Sequence, residues 1–257
     1  MSIYVITHKE FDNKICKDRD IYEYMLVGAN DNKCSLVHYS DNCGVNISNK
    51  NFKYCELTGI YWIRYNRSDD FVGICHYRRF FSKTHYFFQK YFIIKPQKIY
   101  KILKQGNIIV PKRYRSQYQY LNAKEFFCIS HGQEVWTIME KVLEELYPDY
   151  LEDLYWFAEE KKGYSYNMFI MKREQFNEYS DWLFSILFEM EKIILKEKTV
   201  NENRLYGFVS ERLLNIWIHH NNLKCKEFDI YNTEKNFRKR INTWIKYRIN
   251  KIKNRIG

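Results

Sequence analysis

A short apolar run, Phe71–Cys75, stands directly before the polar segment His76–Arg79. A run of this length, rich in β-branched and aromatic residues, predicts a fully buried strand. In open α/β sheets, ligands bind beyond the carboxyl ends of the strands. We therefore expect a ligand site at the segment that follows this strand.

Strand-like and helix-like segments alternate along the chain. Strands are predicted over residues 3–7, 24–28, 71–75, 107–110, 164–171 and 226–230, and helices over residues 51–66, 97–104, 133–146, 174–196 and 210–220. This alternation favours an α/β fold with a central, mostly parallel sheet flanked by helices. The 257 residues suffice for one large domain, which we place at residues 1–232.

The remaining residues, 233–257, form a basic tail. Residues 234–257 contain nine Lys or Arg and one acid, 9 − 1 = +8, so 11 − 8 = +3 remains for everything before them. Apolar residues recur in the tail at the spacing of one helix face: Phe237, Ile241, Trp244, Ile245, Ile249, Ile252 and Ile256. We predict an amphipathic helix that binds an anionic membrane surface, with docking on the body of the protein as the alternative.

Composition narrows the cellular setting. The seven cysteines lack the spacing of a zinc site or a disulfide framework, and there is no signal peptide and no apolar run long enough to cross a membrane. These features predict a cytoplasmic protein, and the basic tail predicts that it lies peripherally on the inner face of the plasma membrane. A nucleic-acid-binding module is an alternative, but the nearly neutral body and the lack of a recognised nucleic-acid motif argue against it.

The residues after the strand have the chemistry of an anion site. The planar guanidinium groups of Arg78 and Arg79 stay charged at any working pH and match phosphate oxygens. If the backbone stays extended, His76 and Arg78 face one way and Arg79 faces the other. A diphosphate is one expected ligand, and a surface carboxylate that pairs with the two arginines is equally compatible with the spacing.

Five motifs follow one another between residues 3 and 231. They are IYVITHK, YMLVGAN, the stretch from NISNKNFKYCELTG to DDFVGICHYRRFF, GYSYNMFIMKREQFNEYSDWLF, and YGFVSERLLNIWI. In this order they resemble a family of bacterial capsular-polysaccharide-synthesis glycosyltransferases. The resemblance implies a GT-A-like nucleotide-diphospho-sugar transferase fold in a single domain.

The resemblance also gives His76-Tyr77-Arg78 a specific meaning. GT-A enzymes usually carry at this point an Asp-x-Asp whose carboxylates hold a divalent metal on the diphosphate. Mg²⁺ and Mn²⁺ prefer oxygen ligands, so we expect no metal and no other cofactor, and Arg78 and Arg79 would neutralise the diphosphate directly. Further donor-site residues implied by the resemblance are Thr7, His8, Gly28, Ala29, Asn46 and Tyr54, with Asn51 and Glu56 in the same motif. For Tyr54, a buried helix face is the alternative.

Glycosyl transfer with inversion needs a carboxylate base. Glu211, in the motif SERLLNIWI, is the first candidate, and Asp149 and Asp153 are alternatives. The simpler interpretation is that Ser210 caps a helix and that an acid in its first turn favours the helix dipole. The predicted catalytic set is Glu211, Arg78 and His76.

The predicted activity is the transfer of a hexose, such as galactose in pyranose or furanose form, from a UDP-sugar. The acceptor would be a growing, lipid-linked repeat unit of a capsular or surface polysaccharide. Aromatic faces stack on sugar rings, and the acceptor-binding residues implied by the resemblance are Tyr164, Tyr166, Asn167 and Phe169. A non-catalytic subunit of a glycan-assembly complex is a further alternative.

Overall fold

A computed structural model describes residues 1–16, 20–83, 92–114, 120–197 and 200–234. Its strands are β1 (Ser2–Thr7), β2 (Tyr22–Leu26), β3 (Tyr39–Ser40), β4 (Phe71–His76), β5 (Arg79–Ser82), β6 (Ile108–Pro111), β7 (Phe169–Lys172) and β8 (Cys225–Asn232). Its helices are α1 (Asn51–Tyr54), α2 (Leu57–Asn66), α3 (Pro96–Lys104), α4 (Ala123–His131), α5 (Gln133–Leu146), α6 (Leu151–Glu159), α7 (Arg173–Glu197) and α8 (Leu205–His220). The described residues therefore have the α/β composition that the sequence predicts.

The strands pair in the order β3-β2-β1-β4-β5-β8-β6-β7, and β7 also pairs with β4. Pairing is parallel for β1 with β2, β1 with β4, β2 with β3 and β6 with β8. It is antiparallel for β4 with β5, β4 with β7, β5 with β8 and β6 with β7. The pairings of β4, β5, β8, β6 and β7 thus close on themselves in a small barrel beside the open parallel part.

The sheet is therefore mixed, and the prediction of a mostly parallel sheet is wrong. The physical reason begins at β4 and β5, which are joined by only two residues, Tyr77 and Arg78. A two-residue connection allows only an antiparallel hairpin, because a parallel return needs a crossover of a dozen or more residues.

The core fills the space between the sheet and the helices. All six residues of β1 are buried, as expected for a central strand covered on both faces. Helix α5 matches its predicted bounds and turns one apolar stripe inward: Val135, Trp136, Ile138, Met139, Val142 and Leu143. Fully burying side chains of this size contributes about 1.5–3 kcal/mol each, so α5 is held by packing on its inner face.

Several local predictions need correction. The predicted helix 51–66 is interrupted at Cys55, whose left-handed backbone (φ 51°) separates α1 from α2. Helix α8 begins at Leu205, so Ser210 lies inside it and donates from Oγ to the carbonyl of Gly207 at 2.9 Å instead of capping it. The predicted strand 164–171 is a strand only from Phe169 onward.

Four further elements, one of them the two-residue strand β3, were not predicted from the sequence. Helix α4 has a capping box, in which the Asn122 side chain accepts from the amide of Glu125 and the Glu125 side chain accepts from the amide of Asn122. Helix α6 and strand β5 were also missed. The predicted tail, residues 233–257, lies outside the described residues except for 233 and 234, so its helix and its separation from the domain stay predictions. Among the helices that are described, none has the length and apolarity to cross a membrane.

Candidate functional site

A crevice lies at the point in the sheet where successive strands are placed on opposite sides of β1. From β1 the chain adds β2 and then β3 on one side, and β4 pairs with the other side of β1. The segments that follow β1 and β4 diverge at their carboxyl ends, which is where α/β sheets bind ligands. A cleft of about 770 Å³ lies there, and Thr7, His8 and His76 line it at the strand ends.

A second wall of the cleft is formed at two places where helical structure is interrupted, after α1 and before α8. Cys55 ends α1 and Arg204 precedes α8, each with a left-handed backbone (φ 51° and 59°). The amide of Arg204 donates to the carbonyl of Phe52 at 3.1 Å, which joins the two breaks. Since left-handed backbone costs a non-glycine residue about 1–2 kcal/mol, tertiary contacts must hold this wall. It presents Phe52, Cys55 and Glu56 from one break and Arg204 and Gly207 from the other.

The hairpin between β4 and β5 determines which side chains enter the cleft together. His76 and Arg79 are paired across the hairpin, so their side chains lie on the same face. The extended backbone considered for the sequence is therefore wrong, because it would have grouped His76 with Arg78. Arg78 lies in the two-residue turn, and its Nη1 donates to Glu234 Oε2 at 2.8 Å.

Cations outnumber carboxylates in the cleft. Its cations are Lys9, Arg78, Arg79, Arg204 and Arg212, and its carboxylates are Glu56 and Glu211. Lys9 and Arg78 both contact Glu234 (3.8 and 2.8 Å), which is not itself part of the lining. The excess of positive charge suits an anionic ligand with more than one charge.

Arg79 is the cation that is best placed to hold such an anion. Its guanidinium carbon lies 4.3 Å from the centroid of the Tyr166 ring, which fixes the plane of the group. Burial and the neighbouring Arg78 lower the pKa of Arg79 from its ordinary value, but an arginine remains protonated in proteins. Within the described parts of the chain no carboxylate pairs with Arg79, so its charge is available to a ligand.

A sharp bend at Tyr166 and Asn167 connects the two carboxylates to His76. Both residues of the bend have left-handed backbone (φ 77° and 49°). The Tyr166 amide donates to Glu211 Oε1 at 2.9 Å, and its carbonyl accepts from His76 Nε2 at 2.5 Å. The Asn167 amide group donates to Glu56 Oε1 at 2.8 Å. The bend is thus pinned from three sides, as non-glycine residues in this conformation require.

His76 accordingly acts as a positioning residue in this arrangement. Burial lowers the pKa of its imidazole, so the ring is neutral near neutral pH. Its Nε2 must carry the proton, because the Tyr166 carbonyl can only accept a hydrogen bond. The ring holds Tyr166, and through it the face on which Arg79 stacks.

Glu211 lies in the second turn of α8 and faces the cleft. Burial raises the pKa of its carboxyl above the ordinary value, and the adjacent Arg212 opposes that change. Arg212 Nη1 lies 3.0 Å from Glu211 Oε2. The first-turn interpretation is wrong because α8 starts at Leu205, and a raised pKa in a polar cleft is typical of a carboxylate that moves protons.

Several predicted donor-site residues lie elsewhere. The amides of Gly28 and Ala29 donate to the buried carboxylate of Asp41 (2.9 and 3.0 Å), so they hold a turn. Asn46 is exposed and donates to the carbonyl of Gly44. Tyr54 is fully buried and stacks on Tyr206, which agrees with the alternative of a buried helix face.

The predicted acceptor residues are similarly dispersed. Tyr166 lines the cleft, while Phe169 is fully buried in the core and Asn167 is buried at the bend. Tyr164 lines a separate, smaller pocket.

Of the alternative bases, Asp149 lies before α6. Asp153 accepts from His219 and His220 at the far end of α8 from the cleft.

Several residues that line the cleft were not predicted from the sequence. Arg212 directly follows Glu211, so the SER motif itself carried the signal for it. Arg204 and Tyr114 reach the cleft only because distant segments meet there, and no local pattern marks them. The other missed lining residues include Lys9, Phe126, Ser165, Asn203 and Phe208.

The donor set of the cleft does not fit a divalent metal. Where the sequence resemblance leads us to expect an Asp-x-Asp, the chain has His76-Tyr77-Arg78 at the β4–β5 hairpin, and the His76 Nε2 donates to the carbonyl of Tyr166. Glu56 and Glu211 are each bound to the bend. In the described portion of the chain, no three His, Cys, Asp or Glu residues form a group suited to a metal ion. Metal independence stays a prediction.

The chain is similar to a solved structure, the apo form of WbbM, a bifunctional glycosyltransferase. The two are 28% identical and superpose with a TM-score of 0.78. The match covers 91% of this chain and 45% of WbbM, so the chain spans less than half of that protein. No curated protein matches the chain. Residues 2–222 match a family described as a domain of unknown function (DUF4422), and because this match extends over most of the chain, the chain belongs to that family.

Proposed function

We propose that this protein is a glycosyltransferase with a GT-A-like fold that transfers a hexose from a UDP-sugar. The observation that carries the proposal is the cleft at the carboxyl ends of β1 and β4, where five cations outnumber two carboxylates and Arg79 has no carboxylate partner among the described residues. The similarity to WbbM, whose name describes a bifunctional glycosyltransferase, supports the same class of reaction. The donor sugar, galactose in either ring form, is the choice that the sequence resemblance favours.

The diphosphate of the donor would lie against Arg79, with Arg78 and Arg204 beside it. As the sugar–phosphate bond breaks, negative charge develops on the leaving UDP, and fixed guanidinium groups stabilise it without reorganisation. Arg78 must exchange its contact with Glu234 for the diphosphate, whereas Arg79 has no such contact to break. The nucleoside would extend along Thr7 and His8 at the end of β1.

Glu211 would act as the base for transfer with inversion. Its carboxylate takes the proton of the acceptor hydroxyl while the oxygen attacks the anomeric carbon. The raised pKa brings the carboxyl closer to the pH at which it works, because a base is most effective when its pKa approaches the operating pH. Glu56 is the rival base, since it lines the same cleft.

The wider setting is proposed on the sequence alone. The acceptor would be a lipid-linked capsular or surface glycan, and the tail 233–257 would bind the anionic inner face of the plasma membrane. Neither a cofactor nor a nucleic acid takes part. Flotation with anionic vesicles tests the tail: the full chain should float and a truncation after Asn232 should not, and equal behaviour of the two contradicts the proposal.

Calorimetry and product analysis test the activity. UDP and UDP-galactose should bind the full-length protein more tightly than AMP, and release of UDP should persist in EDTA and gain nothing from added Mn²⁺. Glu211→Gln should still bind UDP but lose about 10²–10⁴-fold in turnover, while Glu56→Gln should lose less. Failure of every nucleotide sugar to bind would refute the proposed function, and activity that needs Mn²⁺ would refute its metal-independent mechanism.

A further inference from the structure

A second, smaller pocket of about 220 Å³ adjoins the cleft. The two share five lining residues, which are Tyr114, Phe126, Ser165, Glu211 and Arg212. The remaining lining comes from the start of α4, from Phe157 in α6 and from the segment between α6 and β7. Glu211 thus stands at the boundary between the two spaces and faces both.

Backbone hydrogen bonds hold the walls of this side pocket. Tyr114 and Gly163 form a bridge in which each amide donates to the carbonyl of the other (2.8 and 3.2 Å). The amide of Ala123 donates to the carbonyl of Glu160 at 2.8 Å, which ties the start of α4 to the same segment. The capping box at Asn122 fixes the first turn of α4. The pocket is therefore preformed by chain segments that are far apart in sequence.

The lining has the character of a site for one sugar ring. Its aromatic lining residues are Tyr114, Phe126, Phe157 and Tyr164, and its polar and charged lining residues are Asn122, Glu160, Lys161, Lys162, Ser165, Glu211 and Arg212. Ligand pockets combine an apolar and aromatic lining with polar groups that fix the orientation of the ligand. Drug-sized ligands occupy roughly 300–1,000 Å³, so a pocket of about 220 Å³ suits a single ring.

We propose that this side pocket binds the terminal sugar of the acceptor and directs one of its hydroxyl groups at Glu211. The inference rests on the proposed glycosyltransferase function. It moves the acceptor site from residues 164–169 alone to a pocket between α4 and the 160–165 segment. Phe169 takes no part in it, and Tyr166 belongs to the donor side.

The reaction at the boundary balances as a displacement. The acceptor hydroxyl oxygen forms a bond to the anomeric carbon of the donor, and its proton passes to the Glu211 carboxylate. The bond from the anomeric carbon to the diphosphate oxygen breaks, and its electron pair leaves with UDP. Arg79 on the donor side and Glu211 on the acceptor side then stand at opposite ends of the reacting line.

Filling the pocket tests the proposal without altering the donor cleft. Ala123 lines the side pocket but not the cleft, so the series Ala123→Val and Ala123→Leu adds side-chain volume only on the acceptor side. The matched control is Ser130→Leu, an exposed site on the same helix. The melting temperature and the calorimetric affinity for UDP establish that each variant is folded and keeps its donor site.

The probes are the octyl glycosides of galactose, glucose and N-acetylglucosamine, measured by saturation-transfer NMR with UDP present and by transfer from UDP-galactose. We expect Ala123→Leu to raise the KM for the best glycoside by about tenfold or more, since overpacking a filled site is costly. The KM of Ala123→Val for the same glycoside should lie between those of the wild type and Ala123→Leu, and the KM of Ser130→Leu should match that of the wild type. Hydrolysis of UDP-galactose by water should match the wild type in the control Ser130→Leu.

Two results would overturn the inference. One is that Ala123→Leu binds and glycosylates the probes as the wild type does, and the other is that the wild type binds none of them while it binds UDP. Failure of the wild type to bind UDP and UDP-sugars would instead refute the proposed function itself. The two kinds of failure are therefore distinguishable.

Discussion

Replacing Arg79 by methionine tests whether a partly buried guanidinium stabilises the leaving diphosphate, a role that a metal ion fills in related reactions. Methionine retains an unbranched apolar stem that can pack on Tyr166, and it removes only the charge and the hydrogen-bond donors. In the structure, the Arg79 guanidinium lies 4.3 Å from the Tyr166 ring and pairs with no carboxylate of the described chain. The substitution should therefore leave the fold intact.

The expected loss follows from the position of the charge. A unit charge about 4 Å from another contributes about 4 kcal/mol at an effective dielectric constant of about 20. The desolvation of Arg79 offsets part of this interaction energy. In the variant, Arg78 and Arg204 still provide positive charge in the cleft. Removing one preorganised group that stabilises developing negative charge typically costs about 10²–10³-fold in turnover. We expect a loss of kcat/KM in this range for Arg79→Met.

Arg78 provides the internal comparison. Its side chain is 32% exposed and already paired with Glu234, and exposed ion pairs contribute about 0–1 kcal/mol. We expect Arg78→Met to lower kcat/KM by less than about tenfold. Arg64→Met is the matched control, because Arg64 forms a surface pair with Asp181 and does not line the cleft.

The assay is steady-state release of UDP from the best donor, with circular dichroism and melting temperature for each variant. The ratio of the Arg79 effect to the Arg78 effect is the decisive quantity. If Arg79→Met keeps kcat/KM within about threefold of the wild type, the size of a neutral surface change, the guanidinium does not stabilise the leaving group. If Arg79→Met and Arg78→Met lose kcat/KM equally, the difference in exposure and pairing between the two arginines does not determine their contribution.

Three further predictions concern pH and stability. Because burial raises the pKa of Glu211, activity should fall with decreasing pH through an apparent pKa above that of an exposed glutamate. The residual activity of Glu211→Gln should not show this fall at low pH. If the fall persists in the variant, Glu211 is not the base. Burial and the nearby Arg212 lower the pKa of His131 to about 4, while the unfolded chain binds the proton near pH 6.5. Stability should therefore be lost as the pH falls from about 6.5 towards 4. His131→Phe should lessen that loss in melting temperature, and an unchanged pH profile would argue against it. Asp41 is fully buried and accepts from Gly28, Ala29, Ser48 and Thr58. Asp41→Asn leaves one accepting oxygen and removes two hydrogen bonds to a charged group, at about 1.5–3 kcal/mol each. Urea unfolding should show a loss of about 3–6 kcal/mol that the exposed control Asp31→Asn lacks.

The sequence by itself determined the features that depend on neighbouring residues. The apolar runs at β1 and β4 and the 3.6-residue stripe of α5 are local patterns, and the structure has all three elements near their predicted bounds. The position of His76 at the end of a buried strand followed for the same reason. Since ligands in open α/β sheets bind beyond the carboxyl ends of strands, this strand end indicated where to look for the site.

The tertiary structure alone decided which side chains share the site. The hairpin after β4 placed Arg79 beside His76, and the break at Cys55 put Tyr54 in the core and Glu56 in the cleft. Arg204 and Tyr114 joined the site through hydrogen bonds to residues remote in sequence, Phe52 and Gly163. Strand pairing and helix breaks of this kind depend on distant contacts that repay their local cost, so periodicity along the chain cannot reveal them.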